Sequence, residues 1–263
     1  MTAQVSAPDY LARLFALTGR VALVTGGSSG IGKGIVTALA KAGASVVLLA
    51  RGEEALDATV AELRQDGCQA AWVSADLADR VALAEAAERA TQPFGEPHIL
   101  VNCAAVNIRP PLGQLSAADW DRTMAVNLAA PFLLGQRFGP VMAAAGFGRI
   151  INVTSQQASR AFGNSGGYGA SKAGLTALTR SQSEAWARYG VCCNAISPGF
   201  VPTPLTAAVN ADPASLEALA QRTMIGRNGQ PVDFAGAAVF LASRASDYVT
   251  GEVLHVDGGF AAS

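Results

Sequence analysis

Thr25-Gly26-Gly27-Ser28-Ser29-Gly30-Ile31-Gly32 stands between two patterns whose junction decides the fold. Before it, Arg20–Thr25 is a short apolar run of the kind that forms a buried strand. After it, Ile31, Ile35, Leu39 and Ala42 recur on one face of a helix, and Gly43 is placed to stop that helix. A glycine-rich turn from a first strand into a first helix permits a tight bend. It also lets the backbone approach a pyrophosphate and aims helix N–H groups at the negative charge. Gly26, Ser28, Ser29, Gly30, Ile31 and Gly32 are therefore candidate cofactor-binding residues. The spacing is GxxxGxG, not GxGxxG. The same residues also match GxSxG, the nucleophile elbow of serine hydrolases. That rival needs an acid and then a histidine downstream, which leaves His98 or His255, and it does not explain the Tyr168–Lys172 motif described below.

Outward from this turn the alternation continues. Apolar strands are expected at Ser45–Ala50, Gln69–Ala75, His98–Asn102, Arg149–Thr154, Val191–Ser197 and Glu252–Val256. Helices are expected at Glu53–Asp66, Asp79–Thr91, Trp120–Asn127, Pro131–Ala145, Tyr168–Tyr189 and Pro231–Ser243. Strands separated by helices imply an α/β fold, a single-domain Rossmann-type doubly wound sheet of about seven parallel strands with helices on both faces. Residues 1–19 read as an N-terminal extension and 20–263 as one domain, with no repeat or linker dividing it.

Composition excludes several classes. Half the residues are hydrophobic and 15% are charged, enough apolar surface for a substantial core. The net charge is −1 with no cluster of Lys or Arg, which argues against a nucleic-acid partner. Met1–Leu17 lacks the features of a signal peptide, and the longest apolar runs fall short of the roughly 20 residues that span a bilayer. A cytoplasmic location without membrane association is the expectation. Cys68, Cys103, Cys192 and Cys193 show no CxxC or zinc spacing and read as reduced thiols, and no metal is expected.

The end of the second strand bears on cofactor preference. An acid there accepts from the ribose 2′-OH of NAD, but this strand ends Leu48-Leu49-Ala50-Arg51. Ala50 leaves room and Arg51 can pair with a 2′-phosphate, so NADP(H) is favoured, with NAD(H) as the alternative if Glu53 or Glu54 reaches the ribose. A charge-assisted bond of roughly 1.5–3 kcal/mol corresponds to about ten- to hundredfold preference.

Tyr168-Gly-Ala-Ser-Lys172 puts a phenol and an ammonium four residues apart on one helix face, and Ser155 lies thirteen residues before the tyrosine, just past a strand end. With the glycine turn, this pattern resembles the short-chain dehydrogenase/reductase family over nearly the whole chain, from Thr25 to Val256-Asp257-Gly258-Gly259. The resemblance implies a catalytic tetrad of Asn127, Ser155, Tyr168 and Lys172, and a homotetramer in which the Tyr168 helix and the last strand pack between subunits. It also implies that Asp76 and Leu77 contact the adenine side, that Asn102 and Ala104 lie at the cofactor, and that Pro198, Gly199, Val201 and Thr203 close over the nicotinamide. Lys172 is implied to bind the nicotinamide ribose as well, and Asn127 to hold a water in a proton relay.

The chemistry requires these residue types. Reduction of a carbonyl needs a hydride on carbon and a proton on oxygen, and the cofactor carries only the first. Tyr168 is the proton donor, although lowering a phenol by about three pK units takes roughly 4 kcal/mol. The expected sources are the Lys172 ammonium and the positive nicotinamide. Ser155 is expected to hydrogen-bond the substrate oxygen. The family's usual NNAG appears as Asn102-Cys103-Ala104-Ala105, and loss of an amide at Cys103 is expected to loosen a structural bond.

The substrate is less legible. Leu14-Phe-Ala-Leu-Thr-Gly-Arg20, Arg109-Pro-Pro-Leu112, Asp119-Trp-Asp121 and Gly226-Arg-Asn-Gly-Gln-Pro231 resemble sugar-acid members of the family, of the gluconate 5-dehydrogenase and 2-deoxygluconate 3-dehydrogenase type. Reductases of 3-oxoacyl thioesters share much of this background and remain an alternative, as does a non-catalytic NADP(H)-sensing regulator. Candidate substrate contacts are Arg109, for a carboxylate or else serving a loop, Gln156 and Gln157 for hydroxyls, and Phe200 as part of an apolar wall with Val201 and Leu205.

Overall fold

The computed structural model describes residues 7–262. Helix α1 (Ala7–Phe15) lies inside the stretch read as an N-terminal extension. It is followed by β1 (Val21–Thr25), α2 (Gly30–Lys41), β2 (Ser45–Ala50), α3 (Glu53–Gln65), β3 (Ala70–Ser74), α4 (Arg80–Thr91) and β4 (Ile99–Asn102). The second half runs α5 (Ala117–Met124), α6 (Ala130–Ala144), β5 (Gly148–Val153), α7 (Gly166–Trp186), β6 (Val191–Pro198), α8 (Ala207–Asn210), α9 (Pro213–Gln221), α10 (Ala235–Ala242) and β7 (Val253–Val256). The strands form one seven-stranded sheet, ordered β3-β2-β1-β4-β5-β6-β7, and every neighbouring pair is parallel. This is the Rossmann-type architecture expected from the alternation of patterns.

The strands are apolar throughout because both sheet faces are covered. Alternate residues of β2 serve opposite layers. Val46 and Leu48 pack with Ile35, Leu39 and Phe234, whereas Val47 and Leu49 pack with Leu100, Leu134 and Phe138. Among the described residues no helix is long and apolar enough to cross a membrane.

Three local departures bear on the site. The two helices expected around Trp120 and Pro131 are continuous, joined by a π-turn at Ala125–Ala129. The first starts earlier than periodicity suggested, because the Ser116 hydroxyl accepts from Asp119 N–H at 3.0 Å and caps it. The helix expected at Pro231 opens as a 3₁₀ turn, Pro231–Phe234, before α10. Between β6 and α10, where the sequence suggested no element, lie α8 and α9, and Val209 of α8 reaches the cavity described below.

Candidate active site

Strand order reverses between β1 and β4, whose carboxyl ends splay their following loops apart. A cavity of about 580 Å³ opens there. Every site residue nominated by the sequence lines it, except Asn102 and Asn127.

The glycine turn is shaped by close approach. Gly26 has φ +70°, and a Cβ there would stand 2.9 Å from the backbone of Ala104 at the end of β4. A Cβ on Gly32 would stand 2.2 Å from the Gly26 carbonyl oxygen, so the first turn of α2 can lie on the loop only without a side chain. Ser29 makes no capping bond, and the helical ladder begins with Lys33 N–H donating to Ser29 O at 3.0 Å. The preceding N–H groups, at cavity-lining residues 30–32, are left for an anion. Bare glycine backbone with uncapped donors fits a pyrophosphate.

Thr25, which the sequence reading passed over, ties the turn to β4. Its hydroxyl accepts from Cys103 N–H at 3.0 Å and Ala104 N–H at 3.1 Å. The amide network expected to suffer from Cys103 runs instead through its neighbour. Asn102 Nδ2 donates to Asn152 Oδ1 at 2.8 Å, and Asn152 Nδ2 donates to Thr179 and Gln182. Asn102 is thus a buried brace between β4 and β5, with its side chain away from the cavity. Cys103 does line the cavity, with its thiol pushed up to about 11 by burial, and so stays neutral.

Asp76 and Arg51 are adjacent at the cavity wall. The Asp76 carboxylate accepts from Ala78 N–H at 3.0 Å and from Arg122 Nη2 at 3.1 Å. The Ala78 bond, and then the Arg122 and Arg51 charges, hold its carboxyl below the usual range against the opposing effect of burial. Arg122 was not visible as a site residue, because the pair joins α5 to the end of β3 across 46 residues. Arg51 is exposed and its guanidinium makes no hydrogen bond among the described residues. Glu53 and Glu54 do not line the cavity.

Ser155, Tyr168 and Lys172 converge on the same space. Ser155 stands beside the Tyr168 hydroxyl, and its own hydroxyl oxygen accepts from Gln157 N–H at 3.1 Å. Lys172 is 2% exposed and donates to the Val153 carbonyl at 2.7 Å, with its Nζ 5.8 Å from the centroid of the Tyr168 ring. Burial lowers the Lys172 ammonium to about 8. Burial also raises the Tyr168 phenol, with the neighbouring Ser155 opposing. The downward shift expected from the sequence has the positive nicotinamide as one of its two sources, and among the protein's own groups the balance is upward. In the structure desolvation of a nearly enclosed ring dominates, and the lysine's short bond is to a carbonyl rather than to the phenol.

Asn127 lies in the π-turn, fully buried. Its side chain accepts from Val106 N–H at 2.9 Å, donates to Val106 O at 3.0 Å and donates to Ser171 at 3.1 Å. The amide is thereby committed to clamping the loop after β4 onto the helix that carries Tyr168. Neither histidine lines the cavity, and His98 Nδ1 accepts from Val21 N–H at the amino end of β1. The hydrolase reading of the glycine turn therefore lacks its base.

Of the substrate candidates, Arg109 donates to the carbonyls of Asn164 (3.1 Å) and Gly163, so it serves a loop while lining the cavity. Gln157 is bound through Oε1 to the Ser165 hydroxyl at 2.6 Å. Gln156 and Phe200 line the cavity without such a bond to Oε1 or to the ring.

A doubly wound sheet with a glycine turn of uncapped N–H groups at its switch point, and a serine, tyrosine and lysine in the same cleft, defines the class of Rossmann-fold nicotinamide-dependent oxidoreductases. The family described as enoyl-(acyl carrier protein) reductase matches residues 26–261. The chain belongs to the short-chain dehydrogenase/reductase family, as an NAD(P)-dependent alcohol dehydrogenase/carbonyl reductase. It is 38% identical over 259 residues to gluconate 5-dehydrogenase of Gluconobacter oxydans, covering 98% of this chain and 100% of that protein. It is 40% identical over 244 residues to cis-4-hydroxycyclohexanecarboxylate dehydrogenase of Sinomonas cyclohexanicum, covering 92% and 97%. The crystal structure of a gluconate 5-dehydrogenase from Burkholderia cenocepacia, in complex with NADP and tartrate, superposes with a TM-score of 0.91 at 38% identity, covering 96% of this chain and 99% of the other.

Proposed function

We propose that this protein interconverts a ketone and a secondary alcohol, in the range of the sugar acids, using NADP(H) and Tyr168 as general acid/base. The observation carrying this reading is the convergence of Tyr168, Ser155 and Lys172 in the cavity that the glycine turn opens. The turn, Arg51, Asp76 and Lys172 would hold NADP(H), which would supply or accept the hydride. Tyr168 donates its phenolic proton to the carbonyl oxygen in reduction and removes the alcohol proton in oxidation. Ser155 hydrogen-bonds the same oxygen and steadies the charge that develops on it. Lys172, anchored on Val153, sets a positive charge beneath the phenol, and Asn127 fixes the loop and helix that define the pocket. The homotetramer implied by the family resemblance belongs to this reading, and sedimentation checks it.

Turnover of a ketone panel containing 5-keto-D-gluconate and a 3-oxoacyl thioester, with NADPH and NADH, tests the reaction. Tight cofactor binding without turnover of any member would leave a sensor, and turnover of the thioester alone would move the substrate to acyl chains. Cofactor choice is tested separately with Arg51→Gln. Because the guanidinium is free to pair with a 2′-phosphate, this change is expected to weaken NADPH binding by about ten- to hundredfold and to leave NADH within about threefold. Equal effects on both cofactors in a fluorescence titration would remove Arg51 from the phosphate.

The pH dependence follows from the directions of the shifts. Burial holds the proton on Tyr168 upward in pH, so the acid form is present through neutrality. Reduction is expected to be flat below pH about 8 and to fall above it, as Lys172 loses its charge. Oxidation needs the phenolate, so its kcat/KM should climb over the same range, by up to about tenfold per pH unit. Profiles with the same slope in both directions would contradict a shared acid/base.

A further inference from the structure

Two residues lining the cavity that holds the acid/base group have a buried acceptor oxygen with no partner among the described residues. Gln156 directly follows Ser155, lines the cavity, is 5% exposed, and its buried Oε1 accepts no hydrogen bond. Asn107 also lines the cavity, and its buried Oδ1 is in the same condition. They arise from different strand ends. Asn107 follows Val106, which Asn127 grips at both backbone groups, and Gln156 lies in the turn that the Ser155 side chain caps. With the backbone fixed on both sides, local rearrangement does not readily bring a donor to either oxygen. The neighbouring polar side chains are committed elsewhere, Gln157 to Ser165 and Arg109 to the loop carbonyls. Buried acceptors are nearly always satisfied in native proteins, so an orphan at a cavity wall signals a donor that arrives from outside. The terminal torsion of a side-chain amide is soft, so a hydroxyl entering the cavity can draw the oxygen onto itself.

We propose that Gln156 and Asn107 are specificity-determining residues that accept hydrogen bonds from hydroxyl groups flanking the reacting carbon. The substrate is then a polyhydroxy compound, an α-hydroxy ketone in one direction and its vicinal diol in the other. This rests on the ketone/alcohol reaction proposed above and adds what the neighbouring carbons must carry. A 3-oxoacyl thioester, with methylenes on both sides of its ketone, would leave both oxygens unpaired, and a site built to bond a hydroxyl discriminates strongly against the analogue that lacks it.

The test compares matched ketones with NADPH: 5-keto-D-gluconate against its 4-deoxy counterpart, and 1-hydroxybutan-2-one against butan-2-one. Wild type is expected to prefer the hydroxylated member by roughly ten- to hundredfold in kcat/KM. Gln156→Leu and Asn107→Leu should each collapse that preference several-fold, in variants shown by NADPH titration to keep the cofactor site. Absence of preference in wild type overturns the proposal, and so does an equal loss on hydroxylated and deoxy substrates in both variants. If a variant fails to fold, the wild-type series decides alone. Failure to turn over any of these ketones would sink the underlying reaction, a result distinct from equal turnover of both members of a pair.

Discussion

Replacing Tyr168 by Phe should lower kcat by about 10²- to 10⁴-fold, the range typical of losing a positioned general acid. The side chain is 8% exposed and its ring is packed, so phenylalanine fills the same space and removes little but the oxygen. That oxygen stands beside Ser155 on the helix face shared with Lys172, and no other nearby group is suited to replace it. Lys172 is committed to Val153, and the Cys103 thiol, pushed up to about 11, holds its proton too tightly to serve at neutral pH. The loss should fall on kcat, with NADPH binding within about threefold of wild type, because uniform binding is untouched when only a transition-state interaction is removed. Steady-state kinetics beside a fluorescence titration separates the two. A fall of less than about tenfold would remove Tyr168 from the proton transfer.

The second large effect is expected at Gly32. An alanine Cβ would meet the Gly26 oxygen at 2.2 Å and the Gly26 carbonyl carbon at 2.8 Å, and these are backbone atoms that cannot swing aside. Either α2 or the turn must move by about an ångström, and overpacking of this kind costs about 1–3 kcal/mol. Helix propensity works the other way, since Ala is better than Gly by up to about 1 kcal/mol in a helix interior. In the first turn, against a backbone contact, the steric term wins. The displaced N–H groups are those proposed to meet the pyrophosphate, so NADPH should bind about five- to hundredfold more weakly, in line with that energy. Gly236→Ala is the matched control. It lies in α10 with nothing within 4 Å of its added Cβ, so it should leave cofactor binding alone and stabilise the fold by about 0.4–1 kcal/mol. Equal cofactor affinity in Gly32→Ala and wild type would show that the turn tolerates a side chain and does not cradle the phosphates closely.

The sequence by itself determined what short-range chemistry encodes. Apolar runs and helical periodicity place each strand and most helices, because burial acts on neighbours at fixed spacing along one element. The glycine turn is legible because a bend from strand to helix needs residues without side chains. Tyr168 and Lys172 are legible because four residues on a helix is a spatial statement. Only the tertiary structure decided how the other groups divide their hydrogen bonds. Asn127 and Val106 are 21 residues apart, Arg122 and Asp76 46, Asn102 and Asn152 50, and Arg109 and Asn164 55, distances at which no local pattern survives. Gln156 and Gln157 are adjacent and chemically identical, yet one holds Ser165 and the other keeps an unpaired oxygen at the cavity wall. How strongly burial opposes ionisation of Tyr168 was decided there too, because desolvation depends on what packs around a group, and packing is a property of the whole fold.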